Sequence, residues 1–261
     1  MNGKIMINNL KNIINQAGDL FASASISEIE QKEGHANFVT NIDKQVEEFL
    51  QEKLLSLIPG SQMIGEEKEN NPLTDGPTWI IDPVDGTTNL IHDFRMSAVS
   101  VALCENKKPT IGMVYQPYMK ELFFAESGGG AFLNGKAIHV ATNSFSKALV
   151  AFGTSPYTEE LFNRSLTIAG AFLHSCADLR RTGSAALDLA YLAAGRTDVF
   201  FELTLKPWDY AAGSLIVQEA GGVFCMPYLE EPDYSSPAAI FASTPACFEE
   251  AIALFKKYQK E

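Results

Sequence analysis

Ile7, Leu10, Ile13, Ile14, Ala17, Leu20 and Phe21 recur at helical spacing, which predicts an amphipathic helix over about the first 25 residues. A second helix fits Ile42 to Leu57, with Val46, Phe49, Leu50, Leu54 and Leu57 on one face and Pro59-Gly60 as its stop. From Gln62 to about Val140 the apolar period shortens to two. Runs such as Thr78 to Ile81, Ser97 to Leu103, Thr110 to Tyr115 and Glu121 to Ala125 alternate with Gly, Pro and Asn turns, so an antiparallel meander is predicted. Past Phe145, strand and helix alternate. Strands are expected at Ala148 to Phe152, near Leu179, at Asp198 to Glu202, and near Phe224 and Ile240. Helices are expected at Glu159 to His174, Ala185 to Ala194, Asp209 to Ala220 and the end of the chain. The predicted architecture is therefore helix layers against sheets, an α+β half over 1–145 followed by an α/β half over 146–261. No repeat or long linker separates the halves, so they are expected to share an extensive interface.

The 261 residues are 46% hydrophobic, enough to bury a full core. Lys and Arg total 20 against 32 Asp and Glu, a net charge of -12. That balance argues against nucleic acid or an anionic membrane as a partner. It is compatible with a phosphorylated substrate where carboxylates recruit cations that invert the local field. Cys104, Cys176, Cys225 and Cys247 are far apart and form no Cys-x-x-Cys pair, so they are expected to be buried thiols of a reducing compartment. The start lacks a continuous apolar segment, and no apolar stretch of about 18 residues occurs, so a soluble cytoplasmic protein is expected.

Trp79-Ile80-Ile81 runs directly into Asp82-Pro83-Val84-Asp85-Gly86-Thr87-Thr88-Asn89, so charge appears where a buried strand ends. Pro83 fixes its own φ and biases Asp82 toward an extended backbone, and Gly86 permits a close approach to a ligand. Hard oxygen donors at this density suit Mg²⁺. An Asx-turn with two solvated aspartates accounts for Asp-x-x-Asp-Gly equally well in isolation. Two further elements change the balance: Gly65-Glu66-Glu67 after another apolar run, and Pro207-Trp208-Asp209 opening a helix. Alone, Asp209 reads as a helix N-terminal carboxylate and Glu66-Glu67 as a solvated loop.

Together these segments, with Gly183-Ser184-Ala185-Ala186, resemble the signature segments of the inositol monophosphatase family, in the family's order and across nearly the whole chain. The resemblance implies a layered αβαβα fold, two to three Mg²⁺ ions, a homodimer, inhibition by lithium, and hydrolysis of a small phosphate monoester by a metal-activated water. Glu66, Asp82 and the carbonyl of Val84 resemble the ligands of one ion, and Asp82, Asp85 and Asp209 those of a second; Glu66 also resembles a ligand of a third, weaker one. Glu66 and Thr87 are implied to handle the water, with Asp43 accepting a hydrogen bond from Thr87, and Asp85 is implied to aid protonation of the leaving group. Lys32 lies where the family carries a loop lysine near the metals, and the N–H groups of Gly86 and Thr87 are candidate phosphate donors. The chain departs from the family at Asn37, where Asp is common before the residues matching Phe38-Val39-Thr40, which puts the weakest metal position in doubt.

For the substrate, Glu202 resembles the family's inositol-contacting glutamate, and Gly183, Ser184 and Ala185 resemble the sugar face; Asp209 borders it. Inositol monophosphate leads, with fructose 1,6-bisphosphate, NADP⁺ and 3′-phosphoadenosine 5′-phosphate as rivals. A non-catalytic metal-binding member of the fold is the alternative from a different class. His92 and Asp93 read as a surface turn, His35, His139 and His174 form no metal-ligand pair, and Arg180-Arg181 are left outside the site.

Overall fold

In the computed structural model, which describes residues 3–32, 37–68, 70–156, 158–227 and 231–259, the layers follow from where the apolar faces point. Helices α1 (Gly3–Ser23) and α2 (Asn41–Leu57) lie side by side. Leu10, Ile14, Ala17 and Phe21 of the first and Ile42, Val46, Leu50 and Leu54 of the second are buried against one face of a seven-stranded sheet. Between the helices come two short paired strands, β1 (Ile29–Gln31) and β2 (Phe38–Thr40), which the apolar pattern does not reveal. His35 lies outside the described residues.

The seven-stranded sheet runs in sequence order: β3 (Gln62–Gly65), β4 (Thr78–Asp85), β5 (Ala98–Glu105), β6 (Lys108–Gln116), β7 (Glu121–Glu126), β8 (Gly130–Leu133) and β9 (Lys136–Ile138). From β4 to β9 every pairing is antiparallel, as the meander reading expects. β3 corrects it: Gln62 to Gly65 pair parallel with Thr78 to Ile81. A long return between the two strands brings both C-terminal ends to the same edge, so Glu66 emerges beside Asp82. A short helix, α3 (Thr87–Ile91), follows β4 and is also absent from the sequence reading.

Alternate residues of β4 serve different layers, Trp79 and Ile81 packing toward α1 and α2, Ile80 toward the interior on the other side. There lie α5 (Ala185–Ala193) and α6 (Pro207–Glu219), covered on their far side by a second, five-stranded sheet. Its strands are β10 (Leu149–Phe152), β11 (Asp178–Arg180), β12 (Val199–Leu205), β13 (Val223–Cys225) and β14 (Ala238–Ser243), ordered β11-β10-β12-β14-β13. β10 is parallel to both neighbours, while β14 is antiparallel to β12 and β13. Outside this sheet, α4 (Glu159–Leu173) and α7 (Phe248–Gln259) bury Ile168, Phe172, Ile252 and Phe255 on Val199, Phe201 and Phe241. Each such fully buried apolar side chain stabilises the fold by about 1.5–3 kcal/mol. The result is the layered αβαβα sandwich.

The middle of α6, Tyr210 to Val217, is buried on every side because both its faces are covered. It also sits unusually close to the seven-stranded sheet: a Cβ on Gly112 would lie 2.6 Å from the carbonyl oxygen of Ala212. That contact seats α6 on β6 three residues past Asp209. Cys104 and Cys247 are buried, but Cys176 and Cys225 are only half-buried, which corrects the expectation for those two; none of the four is in a disulfide. Among the described residues, no helix is long and apolar enough to cross a membrane.

Candidate active site

The ends of β3, β4 and β12 and the starts of α5 and α6 meet at one cleft of about 260 Å³. Glu66, Asp82, Val84 and Asp85 line one part of it, with Gly86 and Thr87 beside them and Asp209 across from β4's end. Gly183, Ser184, Ala185 and Glu202 line the remainder. Asp43 and Lys32 stand behind the wall, and each reaches it through a neighbour.

One carboxylate oxygen from each of Asp82, Asp85 and Asp209 falls within 4.8 Å of the others. Three anions this close are held by the backbone that presents them. Asp82 takes the Val84 N–H at 2.9 Å, closing the rigid turn that Pro83 favours. Asp85 accepts the Ser184 hydroxyl at 2.6 Å and the Ala186 N–H at 2.7 Å, so its Oδ2 is fixed by the first turn of α5. Asp209 is the third residue of α6 and accepts the Lys206 N–H at 2.7 Å, so its capping role and its place in the cleft coexist.

The electrostatics record the crowding. Burial, followed by the charges of Glu66, Asp85 and Asp209, holds Asp82 well above the usual carboxylate range. Burial, then Asp85 and Glu66, does the same to Asp209. Asp85 is pushed up to about 6 by burial, tempered by its bonds from Ser184 and Ala186. Burial raises Glu66 against the pull of Lys32, and raises Glu67 to about 7 with help from Glu66. Lys32 Nζ bridges these two at 3.0 and 2.6 Å, and although burial opposes its charge, Glu66 and Glu67 hold it above the ordinary lysine value. An all-oxygen donor set of mutually repelling carboxylates fits a hard divalent cation such as Mg²⁺.

Beside this cluster, Thr87 Oγ1 donates to Asp43 Oδ1 at 2.8 Å, with the Val84 carbonyl 3.1 Å away. The other oxygen of Asp43 takes the Thr40 N–H at 2.8 Å, closing a capping box at the start of α2. The cap reading and the Thr87 contact therefore both hold. Gly86 adopts φ 93°, and a Cβ there would lie 3.0 Å from the Met96 carbonyl oxygen and 3.2 Å from that of Gly183. Only glycine fits where the β4 turn meets the Gly183 loop.

Some placements were not foreseen. Arg181 lines the cleft, so only Arg180 stays outside, bound to Asp178 at 2.5 Å. Ser184 lines it too, but its hydroxyl is committed to Asp85. Asn37, the departure from the family pattern, is on the wall, whereas Asp93 pairs with Arg95 in an exposed turn. Asn89 donates from Nδ2 to the carbonyls of Met96 at 2.6 Å and Thr182 at 2.9 Å, tying the β4 turn to the loop before α5. Asp188 lines the cleft while almost fully buried, and its Oδ1 has no hydrogen-bond partner. Burial holds its pKa well above the usual range. A single acid in the otherwise apolar run Ala185 to Ala194 was the available signal for it.

The inositol monophosphatase family model matches residues 6–260. Inositol monophosphatase 3 of Solanum lycopersicum is 42% identical over 213 residues, covering 79% of this chain and 80% of that protein. The Nus factor SuhB of Escherichia coli K12 is 41% identical over 224 residues, 84% of each chain. Among solved structures, an IMPase/NADP phosphatase complexed with Mg²⁺ and phosphate superposes with a TM-score of 0.82 at 27% identity, covering 97% of this chain and 94% of that one. By sequence and by fold, this chain belongs to the inositol monophosphatase family, whose phosphatases hydrolyse phosphate monoesters.

Proposed function

We propose that this phosphatase hydrolyses inositol monophosphate to inositol and phosphate, using two to three Mg²⁺ ions held by Glu66, Asp82, the Val84 carbonyl, Asp85 and Asp209. The observation that carries the reading is one cleft with two chemically different ends, the convergent carboxylates at one and Glu202 at the other. Bound divalent ions would lower the pKa of water and offset charge on the attacking and leaving oxygens.

The chain's own groups supply orientation and proton handling. Because Asp43 takes the single hydroxyl proton of Thr87, the Thr87 oxygen is left as an acceptor that can orient the attacking water. Glu66, raised by burial and steadied by Lys32, is the companion base. The N–H groups of Gly86 and Thr87 would hold phosphate oxygens, and Asp85 would assist protonation of the leaving oxygen. On the polyol side, Glu202 is pushed up to about 7 by burial, with the Ser155 N–H opposing the shift. Its carboxylate would accept hydroxyl protons of the ring, with Gly183, Ser184 and Ala185 forming the adjoining wall. A homodimer and lithium sensitivity are part of the same proposal and rest on family membership.

The deciding assay is phosphate release from inositol 1-phosphate, fructose 1,6-bisphosphate, NADP⁺ and 3′-phosphoadenosine 5′-phosphate, with Mg²⁺ and with EDTA. Inositol 1-phosphate should give the highest kcat/KM, and EDTA should abolish release. Preference for another of the four would discard the inositol assignment, and activity undiminished by EDTA would discard the metal mechanism.

A further inference from the structure

Glu202 is held by a short turn that follows β10. The Ser155 N–H donates to its Oε1 at 3.0 Å, and Ser155 Oγ in turn accepts the Thr204 N–H at 3.2 Å. Gly153 donates its N–H to the Phe201 carbonyl at 3.0 Å, carrying the β10–β12 pairing one residue beyond the strand. The short turn Gly153-Thr154-Ser155 therefore wraps the end of β12 from Phe201 to Thr204. Oε2 of Glu202 accepts no hydrogen bond among the described residues.

Two features of this turn have no explanation in the fold alone. A Cβ on Gly153 would lie 1.9 Å from Oε2, 2.0 Å from Cδ and 2.5 Å from Oε1 of Glu202, so the carboxyl group rests on the glycine α-carbon. Gly153 is not in the left-handed region, so its backbone accepts any residue and only the space taken by Glu202 demands glycine. Ser155 is the reverse case: it is buried, carries a side chain, and adopts φ 44°. Such a conformation persists only where the surroundings over-determine it, and here it turns the Ser155 N–H onto Glu202.

We infer that Gly153 and Ser155 are positioning residues that set substrate specificity, locking Glu202 by Oε1 so that Oε2 faces the cleft as a fixed acceptor for a polyol hydroxyl. The inference rests on the polyol-contact reading of Glu202. Gly153 and Ser155 touch neither the metal cluster nor Thr87, so their effect falls on discrimination between alcohols rather than on cleavage of the phosphate ester.

The test is a double-mutant cycle read as a specificity ratio, kcat/KM for inositol 1-phosphate divided by kcat/KM for 4-nitrophenyl phosphate. Glu202→Ala should lower the ratio by roughly tenfold or more, the weight of a hydrogen bond to a charged group. Gly153→Ala should lower it about as far through KM for inositol 1-phosphate, and should add nothing in the Glu202→Ala background. Gly153→Ala/Glu202→Asp, whose shorter side chain makes room for the new methyl, should recover part of the loss. Ser155→Ala, which removes both the hydroxyl donated to Glu202 Oε1 at 3.4 Å and the tie to Thr204, provides a second route and should give a smaller drop of the same kind. If Glu202→Ala leaves the ratio unchanged, the polyol contact itself is wrong. If Glu202→Ala lowers it but Gly153→Ala and Ser155→Ala do not, or lower it equally in both backgrounds, the positioning role is overturned.

Discussion

The two ends of the cleft are built from the same functional group, buried at both, in different company. At the β4 end, Asp82, Asp85 and Asp209 face one another, and for Asp82 and Asp209 the neighbouring carboxylates add to the upward shift that burial imposes. At the β12 end Glu202 is raised by burial as well, but it lies outside that triad and is met by backbone and hydroxyl of one turn. On the proposed reading the first arrangement takes a cation and the second acts as a hydrogen-bond acceptor. The proposed function thus separates chemistry and recognition within one pocket.

The largest effect should come from breaking the cation end. Asp209→Asn should lower kcat by on the order of 10²–10³, as removal of one preorganised electrostatic group does. It should also raise the melting temperature of the metal-free protein at pH 8, since it deletes a repelling charge while keeping an acceptor for the Lys206 N–H. A lower melting temperature would show that repulsion is not what the cluster stores.

A smaller effect separates the ends by pH. A carboxyl whose folded pKa lies above its unfolded value stabilises the protein while protonated, and that stability is lost as pH rises through the folded value. Asp85 places this window near 6 and Glu67 and Glu202 near 7, with Asp82 and Asp209 displaced in the same direction. The metal-free protein should therefore lose stability between pH 5 and 8. Saturating Mg²⁺ should raise the melting temperature by about 5–10 °C at pH 8 and by clearly less at pH 5.5. Equal shifts at both values would contradict the link between metal binding and these carboxylates.

The smallest effect sharpens the recognition end. With Glu202 titrating at about 7, KM for inositol 1-phosphate, relative to that for 4-nitrophenyl phosphate, should fall severalfold between pH 6 and 8 as the carboxylate forms. In Glu202→Gln the relative KM should be flat over that range.

What the sequence reveals follows the same division. The cation end is legible because each of its acids closes an apolar run or opens a helix, so a local pattern marks it: Ile81-Asp82, Gly65-Glu66, Trp208-Asp209. The layered fold is legible from the switch between periods of 3.6 and two. The parallel pairing of β3 with β4 is not, because register between strands joined by a long return is set by tertiary packing. Gly153, Asn89 and Asp188 escape for a related reason. Gly153 and Asn89 acquire their meaning from partners 49 and 93 residues away that nothing adjacent in the chain marks, and Asp188, a lone acid in an apolar run, acquires its own from its position in the cleft.

Asn89 also bears on how the pocket responds to its surroundings. Both protons of its amide are spent, one on the Met96 carbonyl and one on that of Thr182, and neither bond involves a charge. Ionic strength and acidity, which alter every carboxylate nearby, leave such a tether untouched. A change of salt or pH thus acts on the carboxylates before it acts on this tether, and the proposed ions would leave and return without the tether having to be rebuilt.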